Sequence, residues 1–340
     1  MESIIGAANY MVRLVLNTRD GGRLIERMVV RIGKRLVQLL ITLLGVTFIT
    51  FSLTYMAPGD PVAMLLETGD TIISQDVVEQ TRHELGLDRP FLVQYGSWLG
   101  HALTGDLGMS YSAKKPVVDK MAEAFPGTLL LATTSIVLML LIAIPAGVMA
   151  AVYRNRWLDY ILRAVSFIGI SIPTFWLGLI LLYVFGYKLG MAPIATATVS
   201  LANVMLPAIT MAFTLASKYM RQVRLVVLEE MNKEYVIGAR ARGMTERAIL
   251  WRHIFPNACL PLITILGLSF GWLLGGVAVV EMVFAWPGLG KMAVQAITMR
   301  DYPLLQGFVL WAALAYMSIN MLIDVSYSLL DPRLRKGGHS

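Results

Sequence analysis

The residues able to do chemistry in this 340-residue chain are few: four histidines, one cysteine and 22 carboxylates. His83 and His101 stand 18 residues apart among acids, without the tight spacing that metal ligation needs, and read as surface residues. Cys259 is the single cysteine, which excludes an internal disulfide framework and a thiolate-rich zinc site. Gly288-Leu289-Gly290-Lys291 is the nearest approach to a phosphate loop and lacks its spacing. No catalytic residue and no metal site emerges. Any work the chain does rests on the elements that carry these groups.

Those elements are apolar. The chain is 56% hydrophobic and 15% charged, with mean hydropathy +0.65, against roughly 45–50% and a quarter in soluble domains. Six runs are long enough to cross about 30 Å of hydrocarbon: 36–56, 128–153, 164–187, a fourth ending at Ser217 and beginning between Met191 and Leu201, 258–280 and 303–323. They lack strand alternation, so they are expected to be helices. None contains Asp, Glu, Lys, Arg or His. That argues against a proton-coupled secondary transporter, a voltage sensor or an intramembrane enzyme. Pro145, Pro173, Pro207 and Pro261 are expected to kink helices and open space between them.

Charge fixes the expected orientation. Of the 29 basic residues, 21 fall in the N-terminal segment, the 154–163 connection, the 218–252 connection and the C-terminal tail. The loop from Gly59 to Phe125 carries ten acids and five bases. Positive-inside places both termini in the cytoplasm and this loop outside. The net charge of +7 is accounted for by these loops facing membrane lipid, with no nucleic-acid partner. Met28 precedes the basic run into the first span, so residues 1–27 read as an extension or an early start.

The connection 218–257 is patterned beyond a plain linker. Glu234–Arg242 reads as a short helix with Val236 and Ala239, and Ile237 beside them, on one side and Arg240 on another. Gly243 suits a left-handed C′ residue, Thr245 can cap a second helix with Glu246 in its first turn, and Pro256 is expected to end it. Two short helices joined by a tight turn make a lever between the fourth and fifth spans.

Glu234-Tyr-Val-Ile-Gly-Ala-Arg-Ala-Arg-Gly243 followed by Phe255-Pro256-Asn257-Ala258 resembles the EAA loop of bacterial ABC importer permeases. That pattern runs E-A-A, three residues, G, nine residues, I-x-L-P. With Gly243 on its glycine, Ile237-Gly238-Ala239 fall on E-A-A and Phe255-Pro256 on L-P. Ile237 replaces the acid, Glu234 lies one turn earlier, and His253 replaces the isoleucine. Further strings follow in order: Pro58-Gly-Asp60-Pro61, Leu85-Gly-Leu-Asp88-Arg-Pro90, Gly105-Asp-Leu-Gly-Met-Ser110, Phe284-Ala-Trp286-Pro287-Gly288-Leu-Gly290, Arg300-Asp-Tyr-Pro303 and Asp331-Pro-Arg-Leu-Arg335. Together they resemble the first permease subunit of the dipeptide/oligopeptide/nickel importers, over roughly residues 28–336.

The resemblance implies an all-α integral membrane protein with six transmembrane helices and the type I ABC importer permease fold. Its parts would be a basic cytoplasmic segment 1–35, a first span 36–57, an external loop domain 58–126, a permease core 127–328 with the coupling loop 218–257, and a tail 329–340. The implied partners are a second homologous permease, two cytoplasmic ATP-binding subunits and an external substrate-binding protein. ATP and Mg²⁺ would be used by the ATPases, with no cofactor in this chain. Glu234, Ile237, Gly238, Ala239, Arg240, Gly243, Phe255 and Pro256 are the implied coupling residues. Asp60, Asp88, Trp286, Pro287 and Gly288 are candidates for external docking or a gate. The implied cargo is peptide, with nickel the alternative, and selectivity would reside largely in the binding protein. A stand-alone secondary transporter is the competing class.

Overall fold

The structure is a computed structural model that describes residues 21–57, 62, 75–84, 86–194 and 198–330. Among the described residues it is helical and contains no strand. Two compact units are distinguished, residues 1–49 and 50–340. Helix α1 (Gly21–Met56) begins in the first, where Val37, Leu40, Ile41 and Leu44 are exposed, as an apolar span is in lipid.

In the second unit, α2 (Gln75–Glu84) and α3 (Phe91–Leu103) precede α4 (Val117–Val152). Then come α5 (Trp157–Ser171), α6 (Thr174–Leu181) with a π-helical extension Leu182–Lys188, and α7 (Leu201–Met231). Helices α8 (Glu234–Ala241) and α9 (Glu246–Ile249) lead through a π-helical turn Leu250–Ile254 into α10 (Phe255–Leu274). Finally come α11 (Ala278–Val283), α12 (Leu289–Thr298) and α13 (Tyr302–Leu330).

Among the described residues four helices are individually long and apolar enough to cross a membrane, and there are up to six if each of two bent pairs is one span. The third expected span is sharply broken: α5 and α6 meet at 98°. Pro173 is the cause. Its ring excludes the helical region for the preceding residue, and Ile172 is extended at φ −78°, ψ 125°. Pro145 and Pro207 instead remain inside α4 and α7. The fifth span ends at Leu274, short of the expected Val280, because Gly275-Gly276 break the helix and Gly276 takes φ +90°. The fourth runs on past Ser217 to Met231, so the connection to the coupling helices is only Asn232-Lys233.

The core lies along α4 and α7. Ala132, Ala143 and Ala151 on one helix and Ala208, Ala212 and Ala216 on the other are all buried. Small residues let helix backbones approach closely where apolar lipid supplies no hydrophobic drive. At Gly147 a Cβ would lie 2.6 Å from the Val223 side chain and 2.8 Å from the Met220 carbonyl. A second seam joins α10 and α13, where a Cβ on Gly267 would meet Ile323 at 2.5 Å.

Candidate coupling site and its supports

Helix α8 buries Val236 and Ala239 and ends in a Schellman turn. Met244 N donates to Ala239 O at 3.2 Å and Gly243 N to Arg240 O at 2.9 Å, with Gly243 at φ +78°. This geometry needs glycine because a Cβ is strained at positive φ. Thr245 Oγ1 caps α9 by accepting from Ala248 N. Across the turn, Arg240 donates through Nε at 2.7 Å and Nη2 at 3.1 Å to the two Glu246 oxygens. That bidentate bond holds the Glu246 carboxyl below its ordinary range and raises Arg240.

Two sequence expectations change here. Ile237 does not join the buried side: it is 59% exposed, and Trp251 is exposed as well. Pro256 does not end the second helix but opens α10 at its first turn. Pro256 has no N–H and crowds the preceding turn. The π-helical turn absorbs the mismatch, with Phe255 N reaching back to Leu250 O.

The lever is tied at both ends. The Tyr235 hydroxyl donates to Glu230 Oε2 at 2.6 Å, and Asn257 Nδ2 donates to the Tyr235 oxygen at 3.4 Å, which links the end of α7 to the start of α10. Tyr219 Oη donates to Leu262 O at 2.6 Å. Helix α5 is fastened to α7 at two levels. Asp159 is fully buried and accepts from Arg224 Nε at 2.8 Å and Nη2 at 2.9 Å and from Asn155 N at 3.0 Å. Further along, Ser166 Oγ donates to Ser217 O at 2.5 Å. These bonds tie α5, α7 and α10 together beside α8 and α9.

At the far end of α10 lies a knot that sequence reasoning did not single out. Glu281 is fully buried and accepts from Thr128 Oγ1 at 2.9 Å and Lys291 N at 2.8 Å. Leu289 N in turn donates to Thr128 Oγ1 at 2.8 Å. The carboxylate sits at the N-terminus of α12, where free N–H groups and the helix dipole favour an anion. Burial nonetheless pushes the Glu281 pKa up, opposed by the Lys291 amide and the Thr128 hydroxyl. The glycines beside it leave it room: a Cβ on Gly288 would lie 2.4 Å from the carboxylate, and one on Gly290 2.6 Å from Ala278 N.

Trp286 is fully buried and its indole donates to Gly127 O at 2.9 Å. Gly288 is buried and Pro287 half-buried. This stretch is a tight turn packed on α4, and the Trp286 side chain offers no docking surface. Asp88 is exposed, 3.8 Å from His83 Nε2, while His101 Nδ1 bonds Ser97 O. Among the described residues no three His, Cys, Asp or Glu side chains gather as a metal site would require. Asp60 lies outside the described residues. Asp301, which sequence reasoning passed over as part of a motif, is fully buried and accepts on Oδ2 from Ser110 Oγ at 2.5 Å, Ser112 N at 2.9 Å and Ser112 Oγ at 2.7 Å. It pins the loop before α4 to the start of α13.

Four to six apolar spans, small-residue seams and a helix–glycine–helix connection between α7 and α10 define an integral membrane subunit. Residues 143–336 match the family of binding-protein-dependent transport system inner membrane components, and residues 27–132 match the N-terminal family of the same membrane components. The chain belongs to this family, the permease subunits of ABC importers, and is an inner-membrane protein. It is 39% identical to the glutathione transport system permease protein GsiC of Escherichia coli O6:H1 (strain CFT073), over 89% of this chain and 97% of that one. Its identity to GsiC of Escherichia coli K12 is 38% over the same shares. A chain from inward-facing structures of the MetNI methionine ABC transporter superposes with TM-score 0.53 at 22% identity, covering 62% of this chain and 96% of that one. That likeness concerns the fold.

Proposed function

We propose that this permease pairs with a second homologous permease, two ATPases on the cytoplasmic side and an external binding protein, and carries short peptides inward by alternating access. The peptide reading rests on the similarity to GsiC, a glutathione permease by name. The coupling reading rests on one observation above all, the α8–α9 lever closed by Gly243 and the Arg240–Glu246 bond. In this reading the lever and the 154–163 connection face the cytoplasm, and the loop before α4 faces outward with exposed Asp88 available to the binding protein. Exposed Ile237 and Trp251 supply the apolar contact to the ATPase, and Glu234, Gly238 and Arg240 border it. Closure of the ATPases on ATP and Mg²⁺ pushes the lever, and the ties through Tyr219, Tyr235 and Arg224 convert that push into a concerted shift of α5, α7 and α10. Trp286, Pro287 and Gly288 form a fixed gate turn at the far end.

Affinity purification of the chain from its native membrane in mild detergent, with the co-purifying proteins identified by mass, tests this directly. Two ATPases, a second six-span protein and a peptide-loaded external protein are expected. Recovery of the chain alone, with transport intact after reconstitution, would overturn the assembly. A nickel-loaded external protein would overturn the peptide reading.

A further inference from the structure

At the end of the spans away from the lever, a cavity of about 1010 Å³ opens between α2, α3, the segment 106–111, residues 51–57 of α1 and the start of α13. Two polar hydrogens there lack an acceptor. Trp98 Nε1 and Tyr302 Oη are both buried without a hydrogen-bond partner, and both residues line the cavity. Buried polar groups are almost always satisfied, so two orphan donors in one cavity point to an acceptor from outside the chain. Both are held in place. The Trp98 ring packs 6.0 Å from Phe51 and stacks 6.3 Å from Tyr95. Tyr302 follows Asp301, whose carboxylate is anchored by Ser110 and Ser112.

The surroundings specify the acceptor. Arg82, Arg89 and Lys114 line the cavity together with Glu84 and Asp106, so it offers both signs of charge around an aromatic floor. It sits at the end of the apolar span Val37–Met56, the depth at which tyrosine and tryptophan meet lipid headgroups. Leu53 and Met56 on the same helix are exposed at 65% and 79%. We propose that this cavity binds the headgroup of a zwitterionic phospholipid. The phosphodiester oxygens take the Trp98 and Tyr302 hydrogens, the headgroup ammonium faces Glu84 and Asp106, and an acyl chain follows Leu53 and Met56. A peptide also carries acceptors and both charges, but the cavity lies at the ends of α1 and α13, away from the α4–α7 core.

Native mass spectrometry of the chain with its co-purifying subunits, titrated with phosphatidylethanolamine or with diacylglycerol, tests the site. Wild type should retain one more phosphatidylethanolamine than the Trp98→Phe/Tyr302→Phe double variant, with about tenfold weaker binding in the variant, as the loss of two hydrogen bonds implies. Diacylglycerol, lacking the phosphate, should not discriminate the two proteins. Arg89→Gln, at the cavity wall, should weaken retention to a smaller extent. Equal phosphatidylethanolamine retention by both proteins would overturn the proposal. Binding of a short peptide that displaces no lipid and is lost in the double variant would overturn it in favour of a peptide subsite.

Discussion

Arg224 places two guanidinium nitrogens, Nε at 2.8 Å and Nη2 at 2.9 Å, against the two oxygens of the buried Asp159. The pair joins the start of α5 to α7 about two turns before the end of α7. Removing one member of a buried pair leaves an uncompensated charge, at a cost of about 3–5 kcal/mol. Asp159→Ala and Arg224→Ala are each expected to lower the thermal unfolding midpoint of the purified protein by that order. Arg163→Ala should cost less, since that side chain is 42% exposed. Replacing both members together, as Asp159→Leu/Arg224→Met, should recover much of the loss. Equal effects of Arg163→Ala and Arg224→Ala would show that the bidentate geometry contributes nothing.

The Glu281 knot makes a prediction with a sign. Burial raises the folded-state pKa of Glu281 above its ordinary 4.5, so the folded chain holds this proton more tightly than the unfolded chain does. The associated stability is fully present below that ordinary value and is lost as pH rises through the folded pKa. Melting midpoints of wild type and Glu281→Gln should therefore diverge with pH, wild type losing ground to the variant as pH increases from about 4.5. A difference independent of pH would contradict the buried-carboxylate account.

Close approach to the same carboxylate constrains Gly288. A Cβ there would lie 2.4 Å from the Glu281 carboxyl carbon, and overpacking of this kind costs about 1–3 kcal/mol. Gly288→Ala is expected to destabilise to that extent in detergent melts. The same substitution at Gly100, where a Cβ meets nothing within 4 Å, should be close to neutral.

Asp301 anchors the loop before α4 through three donors on one oxygen. Each hydrogen bond to a charged group contributes about 1.5–3 kcal/mol. Asp301→Ala should raise the local opening of residues 104–116, and tryptic cleavage after Lys114 should accelerate by at least about tenfold. Unchanged cleavage would mean that the loop is held elsewhere.

Much of this was legible in the sequence, for stated reasons. The apolar runs give six spans because a charge-free stretch of that length has no other favourable place. Gly243 and Thr245 announce the lever because a left-handed turn and an N-cap each demand particular residues. The rest depends on pairs distant along the chain. Glu281 meets Thr128 across 153 positions, and Asp159 meets Arg224 across 65, distances at which periodicity carries no signal. Glu281 did offer one local hint, a lone acid directly after an apolar run with Gly276, Gly288 and Gly290 nearby. Pro256 misled because a proline read locally ends a helix, whereas the π-helical turn before it lets the helix continue.

The central claim is that α8 and α9 transmit ATPase movement to the spans. Proline cannot take the φ of +78° at Gly243, and Arg240→Glu would set two acids face to face across the turn. In the reconstituted importer with its ATPases and binding protein, the decisive quantity is substrate molecules moved per ATP hydrolysed, for wild type, Gly243→Pro and Arg240→Glu. Both variants are expected to insert and assemble, to keep ATP hydrolysis and to lose most uptake. Wild-type stoichiometry in both would contradict the lever.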